Sequence, residues 1–211
     1  PKYNQDFLNV EYISKSALKS GSIVRSAIGS FDTFNPFTLK GTSAAGIGGM
    51  YESLTTSSSD EAFTEYGLIA DQIEYPEDRT WVIYRLNPKA RFHDGETINV
   101  DDVIFTFNTL IEKGAPFYKS YYGDIVEVKD LGERRVKFNF REGITNRELV
   151  LITGQLPVLP KHYWEGKDFS KSTLDPPLGS GPYRIKDFKA GKYITYERVK
   201  NYWADNHPVN K

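Results

Sequence analysis

Phe92-His93-Asp94-Gly95-Glu96-Thr97-Ile98-Asn99-Val100-Asp101-Asp102-Val103-Ile104-Phe105-Thr106 holds a stop followed by a start. Asp94-Gly95 is turn chemistry: glycine takes left-handed backbone without steric cost, and aspartate bonds its own backbone. Asn99 then stands where a helix begins, and Asp102 lies three residues on, in the capping-box position. Val103, Phe107 and Leu110 recur at helical spacing and give one apolar stripe. This is the clearest helix of the chain.

Working outward, residues 80–86 (Thr-Trp-Val-Ile-Tyr-Arg-Leu) have strand composition. Residues 124–131 and 134–140 form a predicted hairpin. In its second arm Val136, Phe138 and Phe140 alternate with Arg135, Lys137 and Asn139, so one face is buried. Short helices are predicted over 145–153 and 160–166. Gly179-Ser180-Gly181-Pro182 breaks the chain before a last hairpin, 183–188 and 193–199, turning near Ala190-Gly191. Towards the N-terminus, Phe7, Val10, Ile13 and Leu18 give 6–20 a loose helical pattern, and residues 22–28 read as a short buried strand. Residues 44–54 suggest a small helix whose three glycines allow close packing. The middle is thus an α+β stretch, and the class predicted for the whole, with the resemblance given below, is α/β with mixed β-sheets.

At 211 residues the chain can bury a real core. Its 27 basic and 28 acidic residues give no overall field for nucleic acid or an anionic membrane. No run approaches the roughly 20 apolar residues that span a bilayer. Cysteine is absent, which excludes thiol catalysis, disulfides and cysteine metal sites. Pro1 at the start points to a processed or trimmed chain, and the final hairpin suggests one continued in a longer protein.

Catalytic patterns are weak at each position. His93-Asp94 belongs to a turn, expected to be exposed. Asp101-Asp102 lies in a first helical turn, where acids favour the helix dipole. Asp60-Glu61 reads as a solvated pair. Gly46, Gly48 and Gly49 do not match a phosphate loop, and no serine sits in a nucleophile elbow. His93, His162 and His207 are too scattered for a metal site. No catalytic residue, metal or cofactor is therefore expected. A hydrolase would need a convergent acid–base pair, which no spacing supplies; a non-transport interaction module remains open. Aromatic clusters are the positive signal: Phe31, Phe34 and Phe37 in one segment, and Phe117, Tyr118, Tyr121 and Tyr122 in another, read as a loop. A tyrosine must place its hydroxyl, and aromatic loops on a rigid scaffold commonly hold organic ligands.

Four ordered stretches then resemble family 5 solute-binding proteins, the peptide, nickel and oligosaccharide receptors of ABC importers. They are Ser30-Phe31-Asp32-Thr33-Phe34-Asn35-Pro36-Phe37 with Met50-Tyr51-Glu52-Ser53-Leu54, the 92–106 stretch, Gly179-Ser180-Gly181-Pro182-Tyr183, and Asn201-Tyr202-Trp203. Residues 37–41 and the Thr56-Ser57-Ser58 loop look most like the oligopeptide and microcin C branch. The resemblance implies one lobe of a two-lobed periplasmic binding protein: residues 1–51 begin domain I, 52–174 form accessory domain II, 175–211 return to domain I, and the second lobe is absent. It also implies capture of oligopeptides or peptide-like compounds, in the periplasm or on a Gram-positive surface, by a monomer serving ABC permease and ATPase subunits. By position Leu39, Lys40, Gly41 and Thr42 would lie against an extended ligand with free backbone groups, flanked by Phe34 and by a tyrosine among Tyr118, Tyr121 and Tyr122. Nickel or an oligosaccharide is the alternative ligand.

Overall fold

A computed structural model describes residues 1–4, 7–14, 16–143 and 148–208. The described elements run, in order, β1 (Thr55–Ser57), β2 (Glu65–Gly67), β3 (Ala70–Glu74), β4 (Trp81–Leu86), α1 (Val100–Lys113), α2 (Phe117–Tyr121), β5 (Ile125–Asp130), β6 (Arg135–Phe140), α3 (Leu149–Gly154), α4 (Lys161–Trp164), β7 (Tyr183–Lys189) and β8 (Tyr193–Arg198). A single 3₁₀ turn, Ile47–Met50, precedes them.

Helix α1 begins as its sequence dictates. The Asp102 amide donates to Asn99 Oδ1 at 3.1 Å, and the Asn99 amide donates to Asp102 Oδ2 at 2.9 Å. Such a cap is worth about 1 kcal/mol. Here the carboxylate does more, because Asp102 Oδ1 also accepts the Lys161 amide at 3.0 Å and docks α4 on α1. One turn on, Thr106 Oγ1 accepts the Leu159 amide at 2.9 Å. Two polar side chains on the buried side of α1 thus fix the path of the chain leading into α4.

The central sheet has the order β3-β4-β6-β5, every pair antiparallel. Val82, Tyr84 and Leu86 alternate inward on β4, and Val136, Phe138 and Phe140 do so on β6; all six share one core with Val103 and Leu110 of α1. Tyr84 is fully buried yet satisfied, its hydroxyl donating to the Val150 carbonyl at 2.7 Å. Two smaller antiparallel ribbons, β1-β2 and β7-β8, flank this unit.

The ends of the chain meet the middle at a polar hub. The Met50 carbonyl accepts the amides of Ser180 and Gly181, both at 2.9 Å. Ser180 Oγ accepts the Glu52 amide at 3.1 Å, and the Ser180 carbonyl accepts the Trp203 indole N–H at 3.0 Å. The backbones approach so closely that a Cβ on Gly179 would lie 2.0 Å from the Met50 carbonyl oxygen, and one on Gly181 2.5 Å from that of Gly49. Gly-Ser-Gly-Pro is therefore a packing motif at this crossing.

Several expectations need correction. No helix forms among the described residues of 6–20, part of which lies outside the description; Leu8 and Leu18 are exposed, and only Val10 of the four patterned positions is buried. Residues 22–28 form no ladder and are not buried. Ile23, Val24 and Ile28 are all exposed, because no strand lies alongside, and the hairpin β7-β8 does not pair with them. Asp60 and Glu61 are not merely solvated: Asp60 accepts from Lys2 Nζ at 2.7 Å and Tyr3 Oη at 2.6 Å, pinning the N-terminal arm. The segment read as an aromatic loop is helix α2, started by Pro116. His93 is half-buried; its amide donates to the Gly179 carbonyl and its Nε2 bonds the Gly181 carbonyl, both at 2.8 Å. The ribbons β1-β2 and strand β3 were not foreseen.

Candidate ligand-binding face

Residues 32–44 form a loop closed on itself. The Asp32 amide donates to the Thr42 carbonyl at 3.0 Å, and the Thr42 amide returns to Asp32 Oδ1 at 2.6 Å. Asn35 is buried and holds the loop to its support: Oδ1 accepts the Phe37 amide at 3.0 Å, while Nδ2 donates to the Phe169 carbonyl at 2.7 Å. Gly41 sits at φ 83°, and a Cβ there would lie 2.5 Å from Asp32 Oδ1, so both conformation and space demand glycine. On this frame Leu39, Lys40, Gly41 and Thr42 are all exposed, Leu39 at 75 %. Lys40 makes no ion pair among the described residues.

The backbone of this edge is only partly free. Leu39 and Gly41 form no backbone hydrogen bond among the described residues. Thr42 spends its amide and carbonyl on Asp32, and the Lys40 carbonyl accepts Ser172 Oγ at 3.0 Å. The expectation that all four residues offer free groups is corrected accordingly.

Helix α2 is joined to the loop by the Ala115 amide, which donates to the Phe37 carbonyl at 2.8 Å. Phe117 and Tyr121 are exposed, and Tyr118 is half-buried. Burial raises the Tyr118 hydroxyl to about 12, so it remains a protonated donor at neutral pH. Two proposed contacts are overturned by their burial. Phe34 is fully buried, stacked on Phe31 and edge-on to Phe188 at 4.8 Å; it clamps the loop to β7. Tyr122 is 2 % exposed and packs among Phe107, Tyr118 and Tyr121. Both obey the general rule that apolar rings at element junctions fill the core. Exposed Leu39, Lys40, Gly41, Thr42, Phe117 and Tyr121, with half-buried Tyr118, make the candidate face.

The polar supports of this face were missed in the sequence: Asp32, Ser172, Gln155 and Glu65. Asn35-Pro36 flagged the turn, but nothing local connects a residue near 35 to one near 170. A separate cleft of about 480 Å³ lies between the N-terminal arm and β2-β3, lined by Tyr3, Phe7 and Tyr66 among others. The arm forms one side of it and residues 65–68 the other, so of the face and its polar supports only Glu65 borders it.

Glu52, at the hub, is a half-buried carboxylate whose acidic side chain accepts the Tyr202 hydroxyl. Burial lifts it from the ordinary 4.5 to about 7, and the Tyr202 bond offsets only part of that rise. Because the folded value is raised, the stability it contributes is complete below about pH 4.5 and lost as pH climbs through about 7. Burial also lowers His93 from 6.5, which acts oppositely as pH falls. Comparing wild type with Glu52→Gln isolates the carboxylate: thermal melts from pH 5 to 8 should show wild type losing stability relative to the variant. A constant difference across that range would contradict this.

Residues 64–211 match the model of bacterial extracellular solute-binding proteins, family 5 Middle. A binding protein of Brucella melitensis is 41% identical over 98% of this chain and 35% of its own length. The peptidoglycan-binding protein YepA of Agrobacterium fabrum is 37% identical over 99% of this chain and 35% of its own. The chain thus spans about a third of the length of the curated relatives it matches. The solved oligopeptide-binding protein AppA of Bacillus subtilis, in complex with a nonapeptide, superposes with a TM-score of 0.68 at 25% identity, over 84% of this chain and 36% of that one. The match to the family model covers more than half of the chain: the protein belongs to the family 5 bacterial extracellular solute-binding proteins.

Proposed function

We propose that this chain is one wall of the ligand cleft of an extracytoplasmic receptor that captures oligopeptides or peptide-like compounds for an ABC importer. Residues 1–51 and 175–211 form the framework in this reading, 52–174 form the accessory domain, and a second lobe closes from the rest of the protein. The observation that carries it is the exposed edge at Leu39, Lys40 and Gly41, held rigid by Asp32 and Asn35 and joined to the aromatic surface of α2. A rigid edge with unpaired amides suits an extended peptide, whose backbone offers the same donors and acceptors at every residue. Exposed rings beside it suit side chains of varied shape. The relatives support the class, one being described as binding peptidoglycan and one structure holding a nonapeptide. The enzyme reading is set aside in this proposal, since His93, which invited it, is engaged by the Gly181 carbonyl. Calorimetry of the full-length protein against peptides of two to nine residues, an oligosaccharide and nickel–histidine tests this. Peptides are expected to bind at micromolar or tighter Kd. Binding of only the sugar or the metal complex would contradict it.

A further inference from the structure

Beside the aromatic surface of α2 lies a directed chain of hydrogen bonds that the fold does not need for its core. The Tyr121 hydroxyl donates to Gln155 Oε1 at 2.7 Å. Gln155 Nε2 donates to Glu65 Oε1 at 3.0 Å, and Thr55 Oγ1 donates to Glu65 Oε2 at 3.0 Å. Tyr121 and Gln155 are exposed, and Glu65 is half-buried. Three elements meet here, namely α2, the end of α3 and the β1-β2 ribbon. The junction is tight enough that a Cβ on Gly154 would lie 2.4 Å from Thr55 Oγ1.

Glu65 is the unusual member. Both of its oxygens are fixed by neutral donors, and it makes no ion pair among the described residues. The Tyr121 hydroxyl is raised first by burial and then by the nearby carboxylates of Glu65 and Glu148, in keeping with Glu65 lying close to it. In a chain whose charge is otherwise balanced, a carboxylate oriented without a cation, at the margin of exposed Phe117 and Tyr121, is a preorganised receiver of positive charge. Aromatic faces add to that attraction, since their quadrupoles favour a cation set against them.

We infer that Glu65, positioned by Thr55 and Gln155 beside Tyr121, forms a subsite for an ammonium or guanidinium group on the ligand. This deepens the peptide reading and rests on it. The subsite makes the receptor selective for peptide-like ligands with a basic side chain at one position, and that discrimination is a difference of affinities set by a single charge.

Calorimetry on the full-length protein tests it with a tetrapeptide panel in which lysine replaces norleucine at one position at a time. Wild type is expected to bind lysine at least tenfold more tightly than norleucine at one position, and Glu65→Gln to bring that ratio near one. Glu65→Lys is expected to move the preference to a glutamate peptide of the same position, an inversion that loss of folding cannot mimic. A lysine preference that survives Glu65→Gln overturns the subsite, as does the absence of any preference while norleucine peptides bind. If neither series binds, the peptide reading itself falls, and this inference with it.

Discussion

Residues 1–211 alone are expected to bind peptides at least a hundredfold more weakly than the full-length protein. The exposed face offers one wall: the edge at Leu39 to Gly41 and the rings of Phe117 and Tyr121. A ligand on one wall keeps its other side in water and gains no closure. It still bears an association cost of at least about 4 kcal/mol. A hundredfold corresponds to about 2.8 kcal/mol, within the roughly 1.5–3 kcal/mol that one charge-assisted hydrogen bond from the proposed second lobe would add. Calorimetry with the same peptides on both proteins checks this. Equal affinity would mean that the shorter chain holds a complete site, and the cleft lined by Tyr3, Phe7 and Tyr66 would become the place to look.

The second large effect is on stability. Gly179→Ala is expected to destabilise the protein by about 3 kcal/mol or more, the upper range for forcing an atom into a packed site. Its Cβ would fall 2.0 Å from the Met50 carbonyl oxygen, a backbone atom that already accepts two amides and cannot give way alone. Relief would require parting 49–51 from 179–181, which also loosens the Ser180 bonds to Glu52 and Trp203. For a chain of this size about 3 kcal/mol lowers Tm by roughly 6–12 °C. Gly95→Ala is the control for backbone conformation: Gly95 has φ 94° but open space about its Cβ. It is therefore expected to lose less. Equal losses would mean that crowding at the hub is not what the glycine relieves.

How far the fold was legible differs from segment to segment, for a common physical reason. Asn99 and Asp102 announced α1 because a capping box is local; its two bonds span three residues. The alternation on β6 was visible because one face meets the core and the other meets water. Residues 22–28 have the same β-prone composition, but a strand is defined by its neighbour, and none of the described strands reaches it. Ribbon β1-β2 escaped notice because its arms are three residues each, too short for a period to show. At the candidate face, Leu39, Lys40, Gly41 and Thr42 were placed by position and are exposed. Phe34 and Tyr122 were assigned to ligand by the same family resemblance, and the structure buries both in the core. Type alone cannot separate the two uses: Tyr121 and Tyr122 are neighbours in sequence, yet Tyr121 is exposed at the end of α2 and Tyr122, the residue that caps it, is buried. Glu65 and Gln155 were beyond reach, since 90 residues separate partners that only the fold brings together.

The most direct test of the account is amide hydrogen exchange on the full-length protein with and without a bound peptide. Leu39 and Gly41 have no backbone partner among the described residues, so their amides should exchange fast in the free protein, unlike Thr42, whose amide is held by Asp32. Peptide is expected to slow exchange at residues 38–41 and along α2 by at least tenfold, leaving the β3-β4-β6-β5 sheet unchanged. Unaltered exchange at 38–41 and α2, with new protection around Tyr3, Phe7 and Tyr66 instead, would contradict the placement of the cleft wall.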